Sequence, residues 1–138
     1  MRLYFAHPYK TRGMNGEESI MEIAREKGHE ILNPFDGEDS ILEEHGVKEY
    51  YGNVKKAVAF SFFERDLDLL RSCDGVLAWI PLGIGQPIGT PCELMYGWML
   101  SKYLIVISKI PSPFFIYMEN EFYKTINDYD YDRKWVIN

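Results

Sequence analysis

Apolar residues in this chain occur in short runs separated by longer amphipathic segments, and this alternation gives the first indication of its structure. Four runs have the length and composition of buried strands: residues 2–6, 29–33, 75–80 and 103–108. Prolines follow the first two runs directly or after one residue and end them, because proline cannot donate to a strand ladder. A weaker run, 135–137, predicts a fifth strand at an edge of the sheet.

The segments between these runs have the periodicity and end signals of helices. Asn15 and Glu18 match a capping box at the start of the first helix, and Gly28 is positioned at its end. Residues 54–72 predict one or two further helices, and another helix begins near Thr90.

Strands that alternate with helices at short spacing imply parallel pairing with right-handed crossovers. We therefore predict an α/β protein, a three-layer sandwich with a mostly parallel, flavodoxin/Rossmann-like sheet of about five strands. The length favours one domain over residues 1–138. The acidic stretch 35–52 contains three glycines and predicts a long loop with a helical turn around 40–44. Loops of this length are often functional lids.

One carboxylate, Glu93, stands at the junction of a glycine-rich loop and a helix, within residues 83–102. Thr90-Pro-Cys-Glu93 matches a capping box with Pro91 at the first helical position, so Glu93 could simply close the helix end. The same place lies at the carboxyl edge of a parallel sheet, where open α/β folds bind ligands. Free N–H groups and the helix dipole would keep the carboxylate ionised there, as a nucleophile on an electrophilic sugar carbon requires. Both interpretations stay open.

Three further carboxylates lie on the predicted helical segment 54–72 or just after it. Asp66 and Asp68 are two residues apart on a helix and cannot both face one ligand. A solvated helix face, with Arg65 as ion-pair partner, is the alternative to a functional role, and we prefer it for Asp68. Asp74 is predicted to be a turn or cap residue.

Two cations, Lys10 and Arg12, lie in the loop that leaves the first strand. They could hold a phosphate or a carboxylate, although a solvated loop is the commoner outcome for such a pair. His7, His29 and His45 have no metal-ligand spacing with each other or with the cysteines, so we predict no metal site and no cofactor.

Composition narrows the range of partners. Fifteen basic against twenty-one acidic residues give a net charge of −6, which does not favour a nucleic-acid polymer or an anionic membrane. A small-molecule ligand fits better, because aromatic residues make up 15% of the chain and offer stacking surfaces. No apolar run is long enough to span a bilayer, and the strand-like N-terminus has no signal-peptide pattern. Two cysteines without such a signal indicate reduced thiols and a cytoplasmic location.

Four short motifs follow one another along residues 2–108. They are Tyr4-Phe5-Ala6, Arg65-Asp66-Leu67, Cys73-Asp74-Gly-Val-Leu-Ala78 and Gly89-Thr-Pro-Cys-Glu-Leu-Met-Tyr-Gly97. As an ordered set they resemble the nucleoside 2-deoxyribosyltransferase family, which includes the 2'-deoxynucleoside 5'-monophosphate N-hydrolases. The resemblance implies a single domain of that type over 1–138 and cleavage of an N-glycosidic bond in nucleosides or their 5'-monophosphates.

The resemblance also implies roles for particular residues. Glu93 matches the nucleophile that attacks the anomeric carbon and forms a glycosyl-enzyme intermediate. Asp66 matches the aspartate that contacts the base or assists its departure as an acid, and Tyr4 matches the tyrosine that holds the glutamate. Pro8 and Tyr9 lie where the family lines the base or sugar pocket.

The chain departs from the transferases at two places. The loop 81–88 lacks the carboxylate that usually contacts the base and offers Gln86 instead, and we predict that Gln86, Gly89 and Thr90 contact the substrate. The transferases end with Asn-x-Met, whereas Met118-Glu-Asn120 has the reverse order, so that role is not transferred. The basic loop after the first strand is closer to the phosphate-binding loop of the N-hydrolases, which favours a nucleotide.

Two other functions remain as alternatives. The phosphoribohydrolases that release cytokinin bases share a Gly-Thr-x-x-Glu element, but their glycine-rich first loop is absent here. A nucleotide-binding or sensing module without catalysis would have the same fold. The joint presence of Tyr4, Asp66 and Glu93 favours the enzyme.

A homo-oligomer, at least a dimer, is predicted from size and composition. A domain of this length has little depth in which to enclose a nucleotide, and large exposed apolar patches usually mark interfaces. The apolar stretch 114–118 follows two prolines and is the preferred interface candidate, while Trp98 could equally be part of the core. The resemblance implies that a neighbouring subunit completes the site.

Overall fold

The computed structural model describes residues 1–46, 56–85 and 87–136. Five strands form one sheet in the order β2-β1-β3-β4-β5, and every neighbouring pair is parallel. The strands are β1 Arg2–Ala6, β2 Glu30–Leu32, β3 Gly75–Ile80, β4 Tyr103–Ser108 and β5 Glu121–Tyr123. The helices are α1 Asn15–Glu26, α2 Glu38–Glu44, α3 Lys56–Arg71, α4 Gly89–Met99, α5 Pro113–Met118 and α6 Ile126–Asp130, with a short 3-10 helix at Tyr9–Thr11. The predicted α/β class with a parallel five-stranded sheet is confirmed.

Helices cover both faces of the sheet. On one face, Tyr4 of β1 packs in a cluster with Leu70 of α3 and Leu94 of α4. On the other face, Leu3 packs in a cluster with Ile20 of α1. Because successive side chains of a strand point to opposite faces, Tyr4 is directed toward the layer that contains α3 and α4.

The strand order creates a crevice at one edge of the sheet. From β1 the chain passes to β2 on one side, whereas β3 lies on the other side of β1. In open parallel sheets the carboxyl ends of the strands at such a reversal leave room for a ligand. The segments that follow β1 and β3 therefore meet at one place.

Gly97 brings α4 close to the sheet. A Cβ at this position would lie 2.8 Å from Cγ2 of Val76 and 3.2 Å from Cδ2 of Leu104, so only glycine fits without displacing β3 or β4. The close contact fixes the distance of α4, and of the Glu93 side chain it carries, from the carboxyl end of β3.

Two sequence predictions about these elements are wrong. The fifth strand is Glu121–Tyr123, not 135–137. Trp135 is outside the sheet; its N–H donates to the carbonyl of Phe122 at 2.6 Å and its ring packs on that of Phe122 at 5.1 Å. Asn15 does not cap α1, because Met14 occupies the N-cap position and no side chain accepts there.

Other boundaries agree with the sequence. The helical turn predicted around 40–44 is α2, and Gly28 follows the last turn of α1 in a left-handed conformation with φ of 87°. The segment 54–72 contains the single helix α3 from Lys56 onward. The remainder of the predicted loop 35–52, from residue 47, lies outside the described residues, as does residue 137.

Candidate active site

A cavity of about 460 Å³ opens at the carboxyl ends of β1 and β3. It is lined by residues 7–10 after β1, by the segment 34–38 after β2, by α3, and by the glycine-rich loop with the start of α4. A larger apolar groove of about 970 Å³ runs between α3 and α4 and shares Asp66, Gly89 and Glu93 with the cavity. Polar side chains converge in the smaller cavity, which is the pattern of a small-molecule site.

Glu93 is the fifth residue of α4, and the predicted capping box is wrong. The helix begins at Gly89, and Ile88 at the N-cap position already has helical φ and ψ of −62° and −44°. Thr90 therefore lies inside the helix and caps nothing, and no acidic residue lies in the first turn. The helix dipole weakens beyond the first turn, so it gives Glu93 little support.

The carboxyl group of Glu93 is held mainly in its protonated form. Part of the side chain faces the open groove, but the oxygen Oε2 is buried and has no hydrogen-bond partner among the described residues. Burial, with a smaller contribution from the charge of Asp66, raises the pKa of Glu93 to about 8, against a usual value of 4.5. The expectation that this position keeps the carboxylate ionised is therefore wrong, because desolvation outweighs the dipole.

Tyr4 approaches Glu93 from β1. Its side chain is fully buried, and burial followed by the charge of Glu93 raises the pKa of its phenol. The two groups are close enough to shift each other's pKa, yet no hydrogen bond of normal geometry joins them, and the Tyr4 hydroxyl has no partner in the described part of the chain. A phenol beside a carboxyl group is a hydrogen-bond donor that the carboxyl oxygens can accept from.

Asp66 enters the cavity from α3 and is paired with Arg65 at 2.9 Å. Arg65 also donates to the carbonyl of Pro34, which ties α3 to the segment after β2. Burial raises the pKa of Asp66, the charge of Glu38 adds to the rise, and Arg65 opposes it. A carboxyl group with a raised pKa can hold a proton for a leaving group.

The neighbouring carboxylates have structural roles. Asp68 points away from the cavity, is 69% exposed and pairs with Arg71 on the same helix at 2.5 Å, as predicted for a solvated face. Asp74 accepts the N–H of Arg2 at 2.8 Å, which agrees with the predicted turn role. Because Asp66 and Asp68 are two residues apart on one helix, their side chains lie on different faces of it, as predicted from the sequence.

The two cations after β1 have different surroundings. Lys10 is exposed and lines the cavity, and its Nζ lies 3.6 Å from the position of a Cβ on Gly85 in the glycine-rich loop. Arg12 forms an ion pair with Glu38 at 2.9 Å and lies over the ring of Tyr9 at 4.1 Å. Pro8 and Tyr9 line the cavity beside Lys10. Lys10 therefore lines the cavity itself, whereas Arg12 is connected to the cavity wall through its ion pair with Glu38.

His7 forms part of the wall and is neutral. Its Nδ1 lies 2.7 Å from the hydroxyl of Thr11, its Nε2 lies 3.1 Å from Oδ1 of Asn33, and its ring stacks on Phe5 at 4.1 Å. Burial lowers the pKa of His7 to about 4. These contacts hold the first loop in place beside the cavity.

Two charged residues of the cavity wall, Glu38 and Arg65, were not predicted as site residues from the sequence. Glu38, only 3% exposed, faces the cavity from the start of α2, and Arg65 faces it as the partner of Asp66. Glu38 lies in an acidic stretch without periodicity. The sequence indicates a site role for it only through its position shortly after Pro34, which ends a predicted strand at the carboxyl edge of the sheet. Gly89 and Thr90 line the cavity as predicted, while Gln86 lies outside the described residues.

Within the described residues, no group of three His, Cys, Asp or Glu side chains is arranged to hold a metal ion. No described helix is long and apolar enough to span a bilayer.

The fold and the cavity define the class of this protein: a doubly wound α/β protein with its candidate site at the reversal of strand order. Two solved structures are similar to it. A 2-deoxyribosyltransferase from Bacillus psychrosaccharolyticus has a TM-score of 0.66 and 18% identity, with 94% of this chain and 90% of that chain covered. The CMP N-glycosidase BcmB from Clostridium botulinum has a TM-score of 0.58 and 16% identity, with 96% and 98% covered.

At these identities the likeness is one of fold. No model of a protein family matches the sequence, and no curated protein sequence matches it.

Proposed function

We propose that this protein cleaves the N-glycosidic bond of nucleosides or their 5'-monophosphates, as a member of the nucleoside 2-deoxyribosyltransferase family. One observation carries the proposal: two carboxyl groups with raised pKa, Glu93 and Asp66, enter the same cavity from different helices at the carboxyl edge of the sheet. Retaining glycosidases use such a pair, one as nucleophile and one as acid. The two proteins of similar structure, a 2-deoxyribosyltransferase and a CMP N-glycosidase, support the same chemistry.

Glu93 is the nucleophile in this proposal. In the reactive form its carboxylate attacks C1' of the sugar while the bond from C1' to the base nitrogen breaks, and a glycosyl ester forms on Glu93. The positive charge that develops on the sugar stabilises a carboxylate that burial in the cavity disfavours. Tyr4 steadies the carboxylate during this step.

Asp66 donates its proton to the departing base. Burial raises the pKa of Asp66 and so favours a proton on it, while Arg65 opposes the rise and fixes the orientation of the carboxyl group through the 2.9 Å contact. After the base leaves, the Asp66 carboxylate takes a proton from water, and the hydroxide attacks C1' to release the sugar and restore Glu93. A second base in place of water gives transfer instead of hydrolysis.

Lys10 is a candidate partner for the 5'-phosphate of a nucleotide in the cavity. Lys10 lines it beside the glycine-rich loop, in a protein whose net charge is −6. A local cation in an acidic chain favours a phosphorylated substrate over the nucleoside. The Arg12–Glu38 pair holds the same loop from the other side.

The test is a panel of nucleosides and their 5'-monophosphates in ribose and deoxyribose forms, with free base measured by chromatography. Wild type is expected to release base, and a second base added to the reaction separates transfer from hydrolysis. Asp66→Asn is expected to lower the rate by about 10²- to 10⁴-fold, the usual contribution of general acid–base catalysis.

Asp68→Asn is the matched control, because Asp68 lies on the same helix, is exposed and does not line the cavity. Equal loss of activity in Asp66→Asn and Asp68→Asn would show that the loss comes from a change in α3 and not from removal of a catalytic acid. Tight binding of nucleotides without any base release would favour the non-catalytic binding module.

A further inference from the structure

The hydroxyl group of Thr90 makes no hydrogen bond that would stabilise the described part of the fold. Thr90 is 1% exposed and lines the cavity, and its Oγ1 has no hydrogen-bond partner among the described residues. It is the second residue of α4, not its cap. A buried threonine usually bonds to a nearby carbonyl or to a cap N–H, because an unpaired hydroxyl is destabilising.

Two other unpaired polar atoms lie in the same place. The hydroxyl of Tyr4 and Oε2 of Glu93 are buried and without partners within the described part of the chain. Tyr4 and Glu93 are neighbours, and Glu93 lines the cavity together with Thr90. A hydroxyl group that can donate and accept, beside a carboxyl oxygen that accepts, is complementary to a ligand that carries a hydroxyl group.

Helix geometry places the Thr90 side chain next to that of Glu93. Thr90 and Glu93 are three residues apart on α4, a spacing that sets side chains next to each other on one face. A substrate group that bonds to Thr90 is therefore close to the carbon attacked by Glu93. In a nucleoside the hydroxyl nearest to C1' is the one on C2'.

We propose that Thr90 is a specificity-determining residue whose Oγ1 binds the 2'-hydroxyl of the sugar, so that the protein acts on ribonucleosides or ribonucleotides in preference to their 2'-deoxy forms. This inference rests on the proposed function. A site built to bind a hydroxyl rejects the analogue that lacks it, because its own polar groups then stay unpaired. Hydrogen bonds to the 2-hydroxyl also strengthen in the transition state of glycoside cleavage.

The experiment compares kcat/KM for matched ribo- and deoxyribonucleoside 5'-monophosphates in wild type, Thr90→Val and Thr90→Ser. Valine has nearly the shape of threonine without the hydroxyl, and serine keeps the hydroxyl. We expect wild type to prefer the ribo form by at least about 10²-fold, since loss of a bonded hydroxyl is strongly discriminated. Thr90→Val should lose about 10- to 100-fold on the ribo form and little on the deoxy form, and Thr90→Ser should retain the preference.

Stability separates this role from a structural one. Because Thr90→Val removes an unpaired buried hydroxyl, its Tm should equal or exceed that of wild type. A lower Tm with equal losses on both sugars would show that Thr90 serves the fold and would overturn the inference. Wild type that cleaves deoxy substrates equally well or better would overturn it too, while leaving the proposed function intact. Release of base from neither sugar would overturn the proposed function and this inference with it.

Discussion

Glu93 has to be charged to act as a nucleophile, yet its surroundings disfavour the charge. With a pKa of about 8, roughly a tenth of the protein carries the carboxylate at pH 7. The unpaired phenol of Tyr4 and hydroxyl of Thr90 are donors that can stabilise the anion once the substrate excludes water. In the proposed reaction, the unfavourable burial of this charge would be relieved as positive charge develops on the sugar.

This burial predicts a pH-dependent stability change on Glu93→Gln. The pKa of about 8 lies above the usual 4.5, so the folded protein keeps a proton that the unfolded chain releases between these values. Stability of wild type therefore falls as pH rises from about 4.5 to about 8, and the neutral glutamine removes this loss. Glu93→Gln should match wild type near pH 4.5 and be more stable by roughly 1–3 kcal/mol at pH 8.

Thermal unfolding across that pH range gives the measurement. Glu22→Gln on the exposed face of α1 is the matched control and should show no such trend. A stability difference between Glu93→Gln and wild type that stays constant from pH 4.5 to 8 would contradict the raised pKa.

Lys10 supports a prediction about phosphate recognition. Lys10→Ala should lower kcat/KM for a 5'-monophosphate by about 10-fold or more and leave the nucleoside nearly unchanged, because it removes one direct charge contact. Lys109→Ala, at an exposed lysine after β4, is the control. The idea fails if phosphate gives wild type no advantage over the nucleoside, or if both variants behave alike.

At the scale of elements, four of the five strands were predictable, whereas the fifth strand and the helix caps were not. The apolar runs of β1, β3 and β4 give their bounds directly, since a parallel sheet between two helical layers needs unbroken apolar strands. A capping-box motif specifies a helix start only where its first residue is non-helical. Met14 precedes Asn15 at the N-cap of α1, and Ile88 is already helical before Thr90, so both motifs fall one or two positions inside their helices.

Two glycines of α4 provide a test of how this helix holds Glu93. Gly97→Ala should destabilise the protein by about 1–3 kcal/mol, because its Cβ would lie 2.8 Å from Val76 on a buried strand. Gly89→Ala should keep the Tm of wild type, since its Cβ would lie at an ordinary 3.6 Å from Oε1 of Glu93. That Cβ covers one side of the carboxyl group, so kcat/KM should fall by roughly 10-fold or more.

Thermal unfolding measures the stability of Gly97→Ala and Gly89→Ala, and the rate of base release measures their activity. Similar stability of Gly97→Ala and wild type would show that α4 is not held by this contact. Full activity of Gly89→Ala would show that substrate does not approach Glu93 from that side.

At the scale of the molecule, the candidate site is assembled from segments far apart in sequence. Tyr4, Asp66 and Glu93 belong to motifs and were identified from the sequence by their resemblance to a family. Glu38 and Arg65 became part of the site only through packing of α2 and α3 beside the crevice, which no local pattern encodes. The order β2-β1-β3-β4-β5 explains why these segments meet where they do.

The surface beside the site supports the prediction of a homo-oligomer. Phe60 and Phe63 of α3 and Met99 of α4 are each at least 60% exposed along the apolar groove, and Phe114 and Tyr117 of the 114–118 stretch are also exposed. Patches of this kind usually mark interfaces. Light scattering at micromolar concentration should give at least a dimer, and Phe63→Lys should shift it toward monomer and lower activity. A monomer with full activity would contradict this prediction.

Mass spectrometry of the trapped protein tests whether Glu93 forms a covalent bond to the sugar. A nucleoside or nucleotide with fluorine at C2' slows breakdown of a glycosyl ester, because fluorine destabilises the positive charge at C1'. Wild type should gain the mass of one fluorinated pentosyl group on the peptide that contains Glu93, with release of one equivalent of base, and Glu93→Gln should gain none. Rapid base release from natural substrates by Glu93→Gln, or an adduct on a different residue, would contradict the account.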